Sequence, residues 1–193
     1  MNLKHEVIRK SIHSLALIVP IGYHFLDRKI VLGMIGLGIF VAICVEALRF
    51  HSHVFRELFN GFLDRLLRDH EATQLTGSTY LLIGCFLTVL FFVKWIALVS
   101  LLFLIVSDAL AALVGRRWGK HKIWKDRSVE GCAVFLVSAC LNVLIVPDSH
   151  FLIGMAGVAT ACTVDIFVHD INDNLTIPLS AGIVMQGLVW LYG

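Results

Sequence analysis

The sequence predicts an all-α, polytopic bundle of transmembrane helices. Hydrophobic residues make up 58% of its 193 positions and the mean hydropathy is +0.85, which is more apolar than the composition of a soluble domain. The apolar residues fall into runs of about twenty, the length that an α-helix needs to cross a bilayer. Because the polar intervals are short, we expect a single integral membrane domain over residues 1–193, with its chemistry at helix ends.

Seven candidate spans follow from the apolar runs. They extend over about 11–26, 30–48, 74–93, 95–115, 131–147, 150–169 and 175–193. The first span is short and contains Pro20, and the fifth is short as well. A short span is tolerated where flanking side chains snorkel or the bilayer thins.

An amphipathic segment is predicted at about 52–70, between the second and third spans. Apolar residues recur there at helical spacing and charged residues occupy the remaining positions. The pattern is typical of a helix that lies in the membrane interface. A solvated helix packed on neighbouring loops would show the same pattern.

The distribution of basic residues predicts that the amino terminus is cytoplasmic and the carboxyl terminus lies outside. With this orientation 13 of the 16 Lys and Arg residues fall on the cytoplasmic side, and only Arg28, Lys29 and Lys94 fall on the other. The same orientation brings the basic amino terminus, the amphipathic segment, the loop at 116–130 and the acidic turn at 169–174 to one surface. We therefore expect an active site on the cytoplasmic side.

The strongest functional signal is Asp108, an acid near the end of an apolar run. A carboxylate in hydrocarbon is costly and usually functional. Ala111, Ala112 and Gly115 share its helical face, so a neighbouring helix can approach closely while the acid points into the bundle. A packing acid with a purely structural role would be the alternative.

A loop rich in Lys, Arg and Gly follows directly, at about 115–131. Cations and backbone amides are what a phosphate group requires, together with a divalent metal held by carboxylates. Basic residues that anchor the chain to anionic lipid would give the same composition. The loop alone therefore does not distinguish a phosphate site from a membrane anchor. Its candidate phosphate-binding residues are Arg116, Arg117, Gly119, Lys120 and Lys122.

A second acidic group lies in VDIFVHDINDNLTIP. Asp170, Asp173 and Asn174 share one face if the helix continues, and such oxygen-rich sets suit Mg²⁺. A capped loop is the structural alternative. With Asp108, these residues form the predicted metal site.

Weaker candidates lie near the other segments of this surface. Arg9, Lys10 and His13 could contact phosphate or anchor the chain to the membrane, and Thr79 could contact a substrate or cap a helix. Glu46 and Arg49, one turn apart, are predicted to form an ion pair with each other.

The chain resembles the CTP-dependent lipid kinases, the group that contains dolichol kinase, phytol kinase and the CTP-using diacylglycerol kinase. The likeness is carried by RKSIH, TGSTY, SDALAALVGRRWGKHKIWKDRSVEG and DINDNLTIP, in that order. It implies an integral membrane enzyme that uses CTP and a divalent cation such as Mg²⁺ to phosphorylate the hydroxyl of a lipid alcohol. It also implies that Asp108, Asp170 and Asp173 serve metal binding and catalysis. By the same resemblance the nucleotide-binding residues lie in the basic loop: Arg116, Arg117, Gly119, Lys120 and Lys122 hold the triphosphate, and Lys125, Ser128 and Glu130 complete the nucleotide loop.

Two alternatives remain at this point. The central segment also resembles the phosphatidate cytidylyltransferases, which make CDP-lipids, although DINDNLTIP lacks the paired glycines of their carboxyl-terminal motif. A non-catalytic transporter or lipid-binding protein would use Asp108 and Asp165 for ion coupling instead. The expected partners are CTP, a polyprenol, phytol-type alcohol or diacylglycerol, and the bilayer. No nucleic-acid partner is expected, and a homo-oligomer is left open.

Overall fold

Helices dominate the described part of the chain, residues 3–53, 57, 75–125, 127–168 and 172–192 of a computed structural model. The elements are α1 (Leu3–Ser14), a 3₁₀ turn (Leu15–Leu17), α2 (Ile18–Phe25), α3 (Arg28–His51), α4 (Gly77–Phe91), α5 (Lys94–Leu102), a π-helical segment (Phe103–Ser107), α6 (Asp108–Trp118), β1 (Lys122–Trp124), β2 (Arg127–Ser128), α7 (Val129–Ile145), α8 (Phe151–Phe167) and α9 (Asp173–Tyr192). The predicted all-α membrane bundle is confirmed. Most of the predicted amphipathic segment at 52–70 lies outside the described residues.

One long helix forms the centre of the bundle. The elements α5, the π-helical segment and α6 run without a break over Lys94–Trp118, 25 residues that are long and apolar enough to cross a membrane. Among the described residues, α3 and α9 also meet this standard, and α4, α7 and α8 are shorter apolar helices. The central helix is the most buried of the three long ones, so the other helices are arranged around it.

The neighbours of the central helix are α1 and α7 along α6, and α2, α4 and α9 along α5. Small residues bring α7 close to α6: a Cβ added at Gly131 would lie 2.9 Å from the carbonyl oxygen of Ala111 and 3.3 Å from the Cα of Gly115. The close approach predicted for this face is confirmed. The fully buried core side chains include Ile96, Val99, Leu101, Phe103, Leu104 and Phe135.

The outer surface is apolar, as a bilayer requires. Leu152, Trp190 and Leu191 are 82%, 80% and 75% exposed, and many other large apolar side chains also face outward. Contiguous exposed apolar area of this kind is not tolerated in water but is solvated by lipid tails.

A β-hairpin interrupts the helices between α6 and α7, where the sequence predicted only a loop. Lys122 pairs with Ser128 and Trp124 with Arg127 in antiparallel order, and Lys125 at the turn has a φ of 45°. The hairpin fixes the direction of Arg127, which points back into the bundle.

Candidate active site

A buried ion pair lies at the first residue of α6. The Nζ of Lys10 on α1 contacts Oδ2 of Asp108, and their side chains are 5% and 1% exposed. Buried charges persist when they are paired and hydrogen-bonded. The intramembrane acid therefore points into the bundle, as the sequence predicted, and α1 supplies its counter-ion.

Arg127 links this pair to acids on two further helices. Its guanidinium lies 3.7 Å from Oδ1 of Asp108 and 3.9 Å from Oδ2 of Asp173 at the start of α9. The contact with Asp165 near the end of α8 is closer, at 2.6 Å between Nη2 of Arg127 and Oδ1 of Asp165. In addition, Nε of Arg127 donates to the Asp165 carbonyl oxygen at 3.0 Å. We call this group of side chains the ion cluster: Lys10, Asp108, Arg127, Asp165 and Asp173.

The ion cluster combines acidic and basic side chains in a region of low dielectric constant, where charges interact strongly. Three carboxylic acids lie around the basic groups of Lys10 and Arg127. Burial alone would lower the pKa of Arg127, but the carboxylates of Asp108, Asp165 and Asp173 outweigh it and raise that pKa above its usual value. Arg127 therefore remains charged among these acids.

The amino-terminal segment RKSIH places two side chains against the central helix. Lys10 contacts Asp108, and Nε2 of His13 lies 3.3 Å from the carbonyl oxygen of Leu104. Arg9 is half-buried. Of the residues in this segment that were predicted to contact phosphate, Lys10 and His13 therefore point toward the central helix.

The basic residues predicted to bind a nucleotide form an exposed rim beside the ion cluster. They lie at the end of α6 and on the hairpin that carries Arg127, so rim and cluster share one end of the bundle. The basic rim consists of Arg116, Arg117, Lys120, Lys122 and Lys125, all of which are exposed.

The remaining predicted loop residues shape the hairpin. Ser128 caps α7 by accepting a hydrogen bond from the Gly131 N–H at 3.2 Å. Glu130 accepts from Nδ1 of His121 at 2.9 Å. Gly119 faces Ser128 so closely that an added Cβ would lie 2.5 Å from its Oγ. These contacts hold the hairpin against the start of α7.

A second buried polar group lies between α3 and α4. Glu46 and Arg49 form the predicted ion pair at 2.7 Å, and Glu46 also accepts from the Thr76 N–H at 2.7 Å and the Thr79 hydroxyl at 3.2 Å. The Thr79 hydroxyl therefore binds a helix neighbour in this structure.

The start of α9 is joined to the start of α4. The side-chain amide of Asn174, predicted as a metal ligand, donates to the Gly77 carbonyl oxygen at 2.9 Å. The adjacent residue, Asp173, contacts Arg127 instead. Asn174 thereby fixes the helix end from which Asp173 reaches the ion cluster.

Comparison with known proteins relates the chain to membrane lipid kinases. It is 32% identical over 145 residues to the CTP-dependent diacylglycerol kinase 1 of Schizosaccharomyces pombe, which covers 68% of this chain and 65% of that protein. It is 28% identical over 201 residues to the dolichol kinase sec59 of the same organism, covering 93% of this chain but 39% of that longer protein. An uncharacterized protein of Rickettsia prowazekii is 30% identical over 185 residues, 91% of this chain and 90% of that protein.

The chain belongs to the CTP-dependent lipid kinase family. It is thus an enzyme, a lipid kinase. No family model matches the chain, and no solved structure matches it.

Two cluster residues of this lipid kinase were not predicted as site residues. Arg127 counted in the sequence only as one of many cytoplasmic charges, and Asp165 was assigned no role in the kinase. A usable signal existed for Asp165, because it interrupts the apolar run of α8 as Asp108 interrupts that of the central helix. Arg127 carries no such signal, since the loop holds several other basic residues.

The predicted metal ligands of the lipid kinase are only partly described. Asp170 lies outside the described residues. Asp108 and Asp173 meet at Arg127. Within the described ranges, no group of three or more His, Cys, Asp or Glu side chains is arranged to hold a metal ion.

Proposed function

We propose that this lipid kinase transfers the γ-phosphate of CTP to the hydroxyl of a membrane lipid alcohol, with the reaction on the cytoplasmic side. One observation carries the proposal: acids from three separate helices converge on Arg127 beside the exposed basic rim. This arrangement places buried acids beside a positively charged rim. The named kinases among its relatives support CTP as the phosphate donor.

The basic rim is suited to hold the triphosphate. Its cations are exposed, at the end of α6 and on a hairpin fixed to α7, so phosphate oxygens can reach them. Positively charged groups around the nonbridging oxygens stabilise the charge of the transferring phosphoryl group. In this proposal Arg116, Arg117, Lys120 and Lys122 bind the nucleotide.

The proposed phosphoryl transfer forms one bond to the γ-phosphorus and breaks one. The oxygen of the lipid hydroxyl attacks the γ-phosphorus in line, the bond from that phosphorus to the β–γ bridging oxygen breaks, and CDP leaves. The hydroxyl proton passes to the carboxylate of Asp170 or Asp173. Among the three acids of the ion cluster Asp173 has the most exposed side chain, 21%, which supports its access to a substrate.

A divalent cation such as Mg²⁺ fits this site in one respect. Oδ1 of Asp108 is buried and accepts no hydrogen bond within the described residues, so an oxygen ligand of the kind that Mg²⁺ prefers is available. Asp108 would hold the ion together with Asp170 or Asp173. When bound, the ion supplies positive charge to the phosphate oxygens.

Labelled CTP tests the proposal. The purified protein is incubated with diacylglycerol, dolichol or phytol and with CTP labelled at the γ- or the α-phosphate. Transfer of the γ-label to a lipid supports the kinase proposal and identifies the acceptor. Transfer of the α-label would show CDP-lipid synthesis instead, and no transfer to any of the lipids would count against both.

Diacylglycerol and dolichol are the first acceptors to compare, because relatives named for each cover much of this chain. Asp108→Asn serves as the inactive control. Lys94→Met, at the opposite end of the central helix, serves as the active control.

A further inference from the structure

The hydrogen-bond pattern of the central helix changes directly before Asp108. The N–H of Asp108 donates to the carbonyl of Phe103, five residues earlier. In a regular α-helix this N–H would bind the carbonyl of Leu104, four residues earlier. The π-helical segment therefore releases the Leu104 carbonyl, and the extra residue in its turn rotates the following side chains by about 100°.

α1 binds the carbonyl that the π-helical segment releases. Nε2 of His13 lies 3.3 Å from the carbonyl oxygen of Leu104. Lys10, three residues before His13, contacts Asp108, four residues after Leu104. Residues three apart share one face of a helix, so one face of α1 contacts both the irregular turn and the acid that follows it.

Asn142 on α7 holds the opposite side of the same turn. Its Nδ2 lies 3.3 Å from the Leu102 carbonyl oxygen, just before the π-helical segment, and 3.1 Å from Oγ of Ser107, at its end. Asn142 is 7% exposed and Ser107 is fully buried. A buried amide in a membrane-spanning helix is costly unless it is hydrogen-bonded, and this amide spans the segment from end to end.

We propose that Asn142 is a positioning residue of the kinase: it holds the π-helical segment so that Asp108 is directed at Lys10 and Arg127. Asn142 acts through the central helix and does not touch the substrate. π-Helical turns are often found at functional sites. The inference rests on the proposed function, because that proposal assigns Asp108 to the reaction.

Kinetic measurements on Asn142→Leu test the proposal, with Ser138→Ala as the matched control. Ser138 lies one turn earlier on α7, and among the described residues its hydroxyl bonds only to carbonyls of its own helix, at 2.7 and 3.1 Å. We expect Asn142→Leu to lower kcat by about 10- to 100-fold and to change the KM for CTP by less than about twofold. A kcat equal to that of Ser138→Ala would overturn the proposal.

Cross-linking measures the direction of position 108 without requiring activity. The five natural cysteines are replaced by alanine, Lys10→Cys and Asp108→Cys are introduced, and a short bifunctional methanethiosulfonate reagent bridges them. We expect Asn142→Leu to abolish the bridge and Ser138→Ala to preserve it. His13→Phe, which removes the support on the α1 side, should weaken the bridge as well and serves as the second variant if Asn142→Leu does not fold.

The two measurements separate the two proposals. A bridge that depends on Asn142 in a protein that phosphorylates no lipid would support the positioning role and count against the kinase reaction. A reduced kcat with an unchanged bridge would show that Asn142 acts in some other way, and would overturn the positioning role alone.

Discussion

The Lys10–Asp108 pair makes an asymmetric prediction about stability. Asp108→Asn leaves Lys10, whose side chain is 5% exposed, without the carboxylate that it contacts. Breaking a buried pair in this way costs about 3–5 kcal/mol. Lys10→Met leaves Asp108 with the guanidinium of Arg127 at 3.7 Å. We therefore expect a smaller loss, about 1–3 kcal/mol.

The double variant separates the pair from its surroundings. In Lys10→Met/Asp108→Asn neither charge is left alone, so the loss should be smaller than the sum of the single losses by about 1–3 kcal/mol. The assay is reversible unfolding in mixed micelles, followed by circular dichroism, for the four proteins of the cycle. Lys94→Met, whose ammonium group binds the His24 carbonyl oxygen at the exposed far end, should change the free energy of unfolding by about 0.5 kcal/mol or less.

Two results would refute the reasoning. If Lys10→Met were more destabilising than Asp108→Asn, Arg127 would not be compensating Asp108. If the losses were additive within about 0.5 kcal/mol, the two side chains would not be paired in the folded protein.

Three further changes test other parts of the structure. Arg127→Lys keeps the charge but loses the planar fork that contacts several carboxylates, so we expect kcat to fall by about 100-fold; wild-type turnover would contradict this. Gly119→Ala places a methyl group against neighbouring backbone and should raise the KM for CTP by about tenfold, whereas Gly22→Ala, where space is open, should not. Glu46→Gln should lower the free energy of unfolding by about 3–5 kcal/mol and Thr79→Val by about 1 kcal/mol; equal losses in unfolding assays would argue against a buried Glu46 charge.

Periodicity and length predicted most of the fold because membrane helices leave a strong signal in one dimension. The acid Asp108 and the pair Glu46–Arg49 were predictable for a similar reason, since a charge in an apolar run must find a partner. Nothing in the apolar pattern distinguishes a π-helical turn from an α-helical one, because the two differ by one residue in a single turn. The role of Asn142 was therefore not visible in the sequence.

The direction of Arg127 was hidden for another reason. The same loop holds five other Lys or Arg residues, and composition cannot tell which cation turns inward. The hairpin decides it: pairing Trp124 with Arg127 directs the guanidinium toward Asp165 while Lys125, at the turn, faces solvent. Tertiary contacts thus select one arginine from a basic segment.

The division of the cations into two groups explains how one end of the bundle serves both halves of the proposed reaction. Lys10 and Arg127 contact buried acids and offset part of the cost of burying them in a region of low dielectric constant. The basic rim is exposed, so phosphate can reach its cations. If rim and cluster were interchangeable, moving a positive charge from one to the other would preserve function. Burial separates the two groups of cations. Lys120→Ala should therefore raise the KM for CTP in kinase assays and leave the free energy of unfolding unchanged. Lys10→Met should impair the kinase reaction and also lower the free energy of unfolding.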